Sequence, residues 1–344
     1  MAPSDRPRLI QIAALTALMV LTMPLIAAHV PQFGQGGGGL NDAREVDDPT
    51  KSWVIYTSHD GSDRVSYYKL SLKKGDRILL GLIVPAPEGQ RGFSPDMVLM
   101  GPGLEDNGTV PPQVQETGEG HVVITSDMPS QLVYEPFSPS VFYELARIEM
   151  DAPADGDYYV AVYNGPNGGD YGLVVGKRES FSLSEWLTIP FSLLAVYRWE
   201  GQQWWTILLP GVVAFLAALS VASMGLRSSR PRPDVRWSLL SIAGSLMIAS
   251  AAVFGYQTVS KLLQVGDVIP AAALSAAFTI IPLLLGIASL RMARRSAGGP
   301  VTAKFRLALL VIAALGLVFW SGWIVGPVLV ATAALLPSRL AQTL

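Results

Sequence analysis

Three histidines, His29, His59 and His121, are the side chains in this chain best suited to transition-metal chemistry. Cleavage after Ala28 would make His29 an N-terminal residue. Its amine and imidazole, joined by a second histidine, form a copper-binding set, and zinc is the other metal that imidazoles suit. Against this, His59 falls in an Asp/Ser/Gly turn and His121 follows Gly120, so both also read as solvated loop residues. Asp60, Asp63 and Glu105-Asp106-Asn107 offer oxygen ligands of the calcium type. They lack the repeated Asp spacing of a calcium loop and read as solvated turns. Ser71 and Lys74 match S-x-x-K in letters. That motif needs a helix start to aim the serine at the lysine, whereas these residues end a strand and enter a glycine turn. There is no nucleophile elbow, phosphate loop or His-Glu-x-x-His. The chain has no cysteine, which excludes disulfides, thiolate metal sites and cysteine nucleophiles. These residues imply no catalytic set, and no cofactor beyond the candidate copper or zinc.

The elements that carry these residues read as strands. Between residues 45 and 178, short apolar or alternating runs are separated by polar and glycine turns. Trp53–Tyr56, Val65–Leu72, Arg77–Val84, Met97–Met100, Val122–Thr125, Gln131–Tyr134, Tyr143–Met150, Tyr158–Tyr163 and Tyr171–Val175 are the expected strands. Many short strands at close spacing imply an antiparallel β-sandwich. Gln35–Gly39 reads as part of a flexible linker over residues 29–44.

YYKLSLKKGDRILLGL, PDMVLMGPG, DGDYYVAVYN and GDYGLVV together resemble the bacterial pre-peptidase C-terminal domain. The likeness covers about a third of the chain. It implies a jelly-roll-like sandwich used in adhesion, targeting or stability, and it implies no catalytic residues. DPTKSWVIY and YEPF add a resemblance to prokaryotic membrane proteins of unassigned function.

The remainder reads as membrane. Arg6 and Arg8 precede the uncharged run Leu9–Ala28, so residues 1–28 form a signal peptide or a transmembrane anchor. Ser182 and Glu185 have capping-box spacing and start a helix over 180–203, bent or restarted at Pro190. Its aromatic residues Trp186, Tyr197 and Trp199, with Trp204 and Trp205 beyond, suit the headgroup layer, so this helix is expected to lie at the lipid interface. Residues 204–344 then hold apolar spans at about 205–226, 237–259, 269–290 and 307–336. The last run is long for one crossing, and Gly322, Gly326 and Pro327 could break it into a hairpin; a single span is the expectation. The small residues Ser238, Ser241, Ser245 and Ser250, with Gly244, Ala249 and Ala252, form small-residue faces on the second of these spans, read as helix packing or as a docking face for another subunit.

Charge sets the orientation. Residues 29–203 carry 24 acidic and 12 basic side chains, while Arg227–Arg236 and Arg291–Arg306 are basic. The positive-inside rule puts the basic loops in the cytoplasm and the β domain outside a prokaryotic inner membrane. An acidic head disfavours nucleic acid. No expected span holds Asp, Glu, Lys, Arg or His in its interior, which argues against a stand-alone ion-coupled transporter. The expected partners are the bilayer and a membrane or envelope protein. The composite expectation is a non-enzymatic accessory or scaffold subunit. The alternatives are a component of a multi-subunit transporter, or an extracytoplasmic metal-handling or sensor protein.

Overall fold

The computed structural model describes residues 29–59, 61, 64–164, 168–227, 234–266, 270–296 and 301–337. The N-terminal run, Asp60 and Asp63 lie outside these residues. Alternating apolar runs form two sheets. The six-stranded sheet orders β1 (Val30–Phe33), β3 (Trp53–His59), β11 (Gly169–Val175), β5 (Arg77–Pro85), β9 (Ser140–Asp151) and β8 (Val133–Glu135). The five-stranded sheet orders β2 (Arg44–Glu45), β4 (Ser66–Leu72), β10 (Gly156–Tyr163), β6 (Asp96–Met100) and β7 (His121–Ile124). Ile55, Leu80, Leu82 and Leu173 of the first sheet meet Leu70, Leu99 and Val160 of the second in one buried core. Two tyrosine hydroxyls buried there satisfy each other, Tyr68 to Tyr171 at 3.0 Å.

The sandwich is mixed, not wholly antiparallel. β1 pairs parallel with β3, and β2 pairs parallel with β4. All of β1 and the first residue of β2 come from residues 29–44, the segment expected to be a linker. The glycine run serves close approach, not slack: a Cβ on Gly37 would stand 2.0 Å from the Asp42 carbonyl oxygen. Gly38 and Gly39 donate to the Asp42 carboxylate at 3.0 and 2.7 Å.

After a short helix α1 (Ala86–Gln90), the remaining helices are α2 (Leu183–Trp199), α3 (Trp204–Arg227), α4 (Val235–Val265) and α5 (Ala272–Ser296), then α6 (Ala303–Val318) and α7 (Val325–Leu335). The capping box forms as spaced: Ser182 Oγ accepts from the Glu185 amide, and Glu185 accepts from the Ser182 amide. α2 runs through Pro190 without restarting. Helices α3, α4 and α5, at 24, 31 and 25 residues, hold apolar stretches long enough to cross a bilayer, which makes this an integral membrane protein. α4 outruns its expected end at Val259 by six residues. Ser241, Ser245 and Ala249 are buried on it, and a Cβ on Gly244 would lie 2.8 Å from the Gly286 carbonyl oxygen of α5. The small-residue face therefore brings two backbones together, as such faces do in membranes.

The last apolar run is a hairpin, which corrects the expected single span. α6 has 16 residues and α7 has 11, so at 1.5 Å per residue they reach only about 24 and 16 Å. Arg306, at the start of α6, donates to Ala334 O and Leu336 O at 3.0 and 3.2 Å. Arg236, at the start of α4, donates to Ala333 O at 3.0 Å and Leu336 O at 2.6 Å. The end of α7 therefore returns to the end of the bundle from which α6 departs. The two guanidinium groups occupy carbonyls that a helix end leaves unpaired. Gly322 in the turn donates to Ser250 Oγ at 2.7 Å. Trp320, Trp323 and Ile324 hold φ of 49, 51 and 67°, a costly region for such residues. Because the chain lacks cysteine, single cysteines at Thr302 and Pro337 are expected to react with an impermeant maleimide from the same side of sealed vesicles, and one at Gly201 from the opposite side. Opposite-side reaction of positions 302 and 337 would rule the hairpin out.

Candidate functional site

α2 lies between the sandwich and the bundle as a wedge. Val196 and Trp199 on it pack with Val54, Tyr56 and Ile83 of the sheet. Ile189, Leu193 and Tyr197 belong to a second cluster with Ile207, Phe278 and Phe319 of the bundle. At the centre of that second cluster is Phe137, from the turn between β8 and β9. Its ring sits 4.9 Å from Trp320, 5.6 Å from Phe278, 6.1 Å from Phe181 and 6.2 Å from Trp186. A residue of the β domain thus sits in an aromatic cage built largely by the helices.

Beside this cage is a buried polar network that the sequence reading missed. Lys261, two residues past the expected span end at Val259, lies on the last turns of α4 and is only 4% exposed. It pairs with Glu200, the residue after α2, at 2.8 Å. Glu200 also accepts the Val141 amide of β9 at 2.9 Å and a Gln202 amide hydrogen at 3.3 Å. Gln202 and Gln257 exchange two amide hydrogen bonds, at 2.8 and 2.9 Å. Burial pushes the Glu200 carboxyl above its usual range, while Lys261 and the amides oppose that shift. Tyr134 and Ser275 join hydroxyls at 2.7 Å, and Ser275 donates to Pro136 O at 2.5 Å. The signal for this network was the helical phase: Gln257 and Lys261 are four apart on one helix face.

The candidate site is the cleft that the wedge leaves open against the six-stranded sheet, about 340 Å³ in volume. Val54, Ile83, Phe142 and Val174 give it an apolar floor, with Ile189 and Val196 of α2 opposite. The rim carries both signs: Glu135, Glu144 and Glu179 against Arg147 and Lys177, with His29 beside them. Arg147 reaches Glu144 at 3.5 Å, and Lys177 reaches Glu149 at 3.0 Å. Burial, with a smaller contribution from the Glu179 charge, pushes the Glu135 carboxyl up to about 7 against the opposing Phe137 amide. An apolar floor with a few charged groups is the general form of a binding cleft. Ser52 Oγ lies 2.6 Å from His29 Nδ1, the bare pairing of a hydroxyl with a base. Ser52 is only 2% exposed, and both it and His29 line the cleft.

The three histidines are not brought together. His29 pairs with Ser52 beside the start of β3, and His59 ends that strand, about 20 Å away at the usual strand rise. His59 Nε2 contacts Arg64 O at 2.6 Å, and its Nδ1 accepts the Gly61 amide at 3.3 Å. His121 lies on the other sheet, between Asp106 at 3.1 Å and Gly108 O at 3.1 Å. Among the described residues, no three His, Cys, Asp or Glu side chains gather in a metal-binding group. The aromatic residues expected at the lipid interface divide. Trp204 and Trp205 are 52% and 67% exposed, and Arg198 lies over the Trp204 ring. Tyr197 and Trp199 are instead buried in protein. Trp199 donates to Tyr171 O at 3.1 Å, and Trp186 donates to Leu317 O at 3.1 Å. α2 thus packs against two protein surfaces, while Leu183 and Phe191 on it remain exposed.

No family model matches this chain, and no curated protein matches it. Lys261→Met is expected to cost about 3–5 kcal/mol, because it strands a buried carboxylate. Thermal unfolding in detergent should show the loss, and Glu200→Gln on the same background should recover most of it. Glu135 binds its proton more tightly folded than unfolded. Its burial therefore costs nothing below about pH 4.5 and its full penalty above pH 7. The melting temperature of Glu135→Gln minus that of the native chain should then rise between these pH values. A flat difference would contradict the buried carboxyl.

Proposed function

We propose that this chain is a non-enzymatic accessory or scaffold subunit of a prokaryotic inner membrane. Its β domain faces out of the cytoplasm and binds a membrane or envelope protein. The cleft between the sheet and α2 carries this reading. It is apolar below and charged above, and it sits at the level where a neighbouring membrane protein would meet the head. The jelly-roll-like likeness to pre-peptidase C-terminal domains supports a binding role, and the basic loops at the far end of the bundle support the orientation. No cofactor is part of the proposal.

A second reading, a component of a multi-subunit transporter, is favoured by the α6–α7 hairpin. Helices that enter a bilayer and turn back are tolerated where protein or a cavity covers the turn, and transporters place such elements at their pathways.

A photo-crosslinking residue at Val133, on the exposed cleft edge, should yield one discrete adduct in cells, and the same residue at Glu119 should not. The adduct's protein should co-purify in mild detergent. Isolation of the chain alone under several gentle conditions, or equal adducts from both positions, would refute the binding role. Retention of a permease or ATPase that depends on the α6–α7 turn and not on the cleft would instead establish the second reading.

A further inference from the structure

Helices α3 and α5 lean apart on one side of α4 and leave an open groove of about 440 Å³. Ala214 and Ala217 of α3 form one wall, Leu283 and Ile287 of α5 the other, and Ile248 of α4 the floor. Alanines on α3 hollow the wall where larger residues would close it. The groove runs from Leu283 toward the end of α5 distant from the β domain, where Arg291 and Arg294 line it. Arg291, Arg294 and Arg295 are all exposed, at a spacing that puts them on one helix face. Arg294 reaches across to Val221 O at 3.2 Å, fixing its guanidinium at the groove's mouth. Among the described residues, no Asp or Glu lines the groove.

Two measures match a lipid. Eleven residues separate Leu283 from Arg294, about 16 Å of helix, and one leaflet of a typical hydrocarbon core is about 15 Å deep. The cations therefore stand at headgroup depth when the apolar trough spans one leaflet. Guanidinium groups bind phosphate oxygens in pairs, and basic pockets between spans at this depth suit anionic headgroups. We propose that this groove is a binding site for one anionic phospholipid. An acyl chain would lie between α3 and α5, and the phosphate would lie on Arg291 and Arg294.

The test is native mass spectrometry of the full chain released from nanodiscs of equal phosphatidylglycerol and phosphatidylcholine. The native chain should retain phosphatidylglycerol at least fivefold over phosphatidylcholine. Arg291→Gln with Arg294→Gln should bring that ratio near one, and the Lys pair should restore part of it. Ala217→Trp should displace both lipids by filling the trough. Equal retention of the two lipids by the native chain, or an unchanged ratio in the Gln pair, would overturn the proposal. So would efficient disulfide linkage of two copies through Ile287→Cys, because the groove would then hold a second chain. Correct folding of each variant is read from the Val133 adduct or the thermal midpoint.

Discussion

Glu200 and Lys261 set the constraint on which the rest of the architecture depends. A buried ion pair is tolerated only when its remaining hydrogen-bonding capacity is met. Here that requires three elements to converge: the end of α2, the last turns of α4 and the Val141 amide of β9. α4 must be long enough to carry Lys261 beyond the apolar slab. The β9 backbone must come down to meet Glu200. Once both hold, Phe137 falls into its aromatic cage and α2 is held between two cores. Head and base are thus joined by packing and charge as well as by the chain itself.

That junction also defines the cleft. A helix lying flat in the headgroup layer would leave the six-stranded sheet open. A helix fully seated on the sheet would close it. α2 does neither, because its Ile189, Leu193 and Tyr197 are drawn toward Phe278 and Phe319 while Val196 and Trp199 are drawn toward Tyr56. The cleft is the space left by that division. The rim carboxylates, Glu135 above all, are half-desolvated as a result.

Much of this was legible in the residues. Alternation in Val65–Leu72, and apolar runs bounded by polar and glycine turns elsewhere, located the strands from Trp53 to Val175. The Ser182–Glu185 spacing located a helix start, and uncharged length located the spans. What was hidden was hidden for physical reasons. A glycine run permits both slack and close approach, and only the neighbouring Tyr67 and Asp42 decide between them. A thirty-residue apolar run offers Gly322, Gly326 and Pro327 as breaks but does not choose between a hairpin and one helix; the left-handed turn at Trp320–Ile324, its bond from Gly322 to Ser250 Oγ, and the Arg236 bonds to the far end of α7 are tertiary facts. Aromatic residues near a membrane suit headgroups and protein cores alike, so Trp199 and Trp205 look the same in sequence and end in different solvents. Lys261 lies past the expected span end and its counter-ion is 61 positions away, so no local pattern links the two.

The Phe137–Trp320 contact bears on biogenesis. Phe137 emerges from the ribosome long before Trp320 does, and the two sit on elements that enter the membrane region from opposite faces. The β domain can therefore fold while its projecting phenyl ring is still without its final neighbours. Synthesis of the last hairpin then completes the cage. Such a long-range closure comes late in synthesis, and a chain truncated before Trp320 would leave one side of the Phe137 ring uncovered.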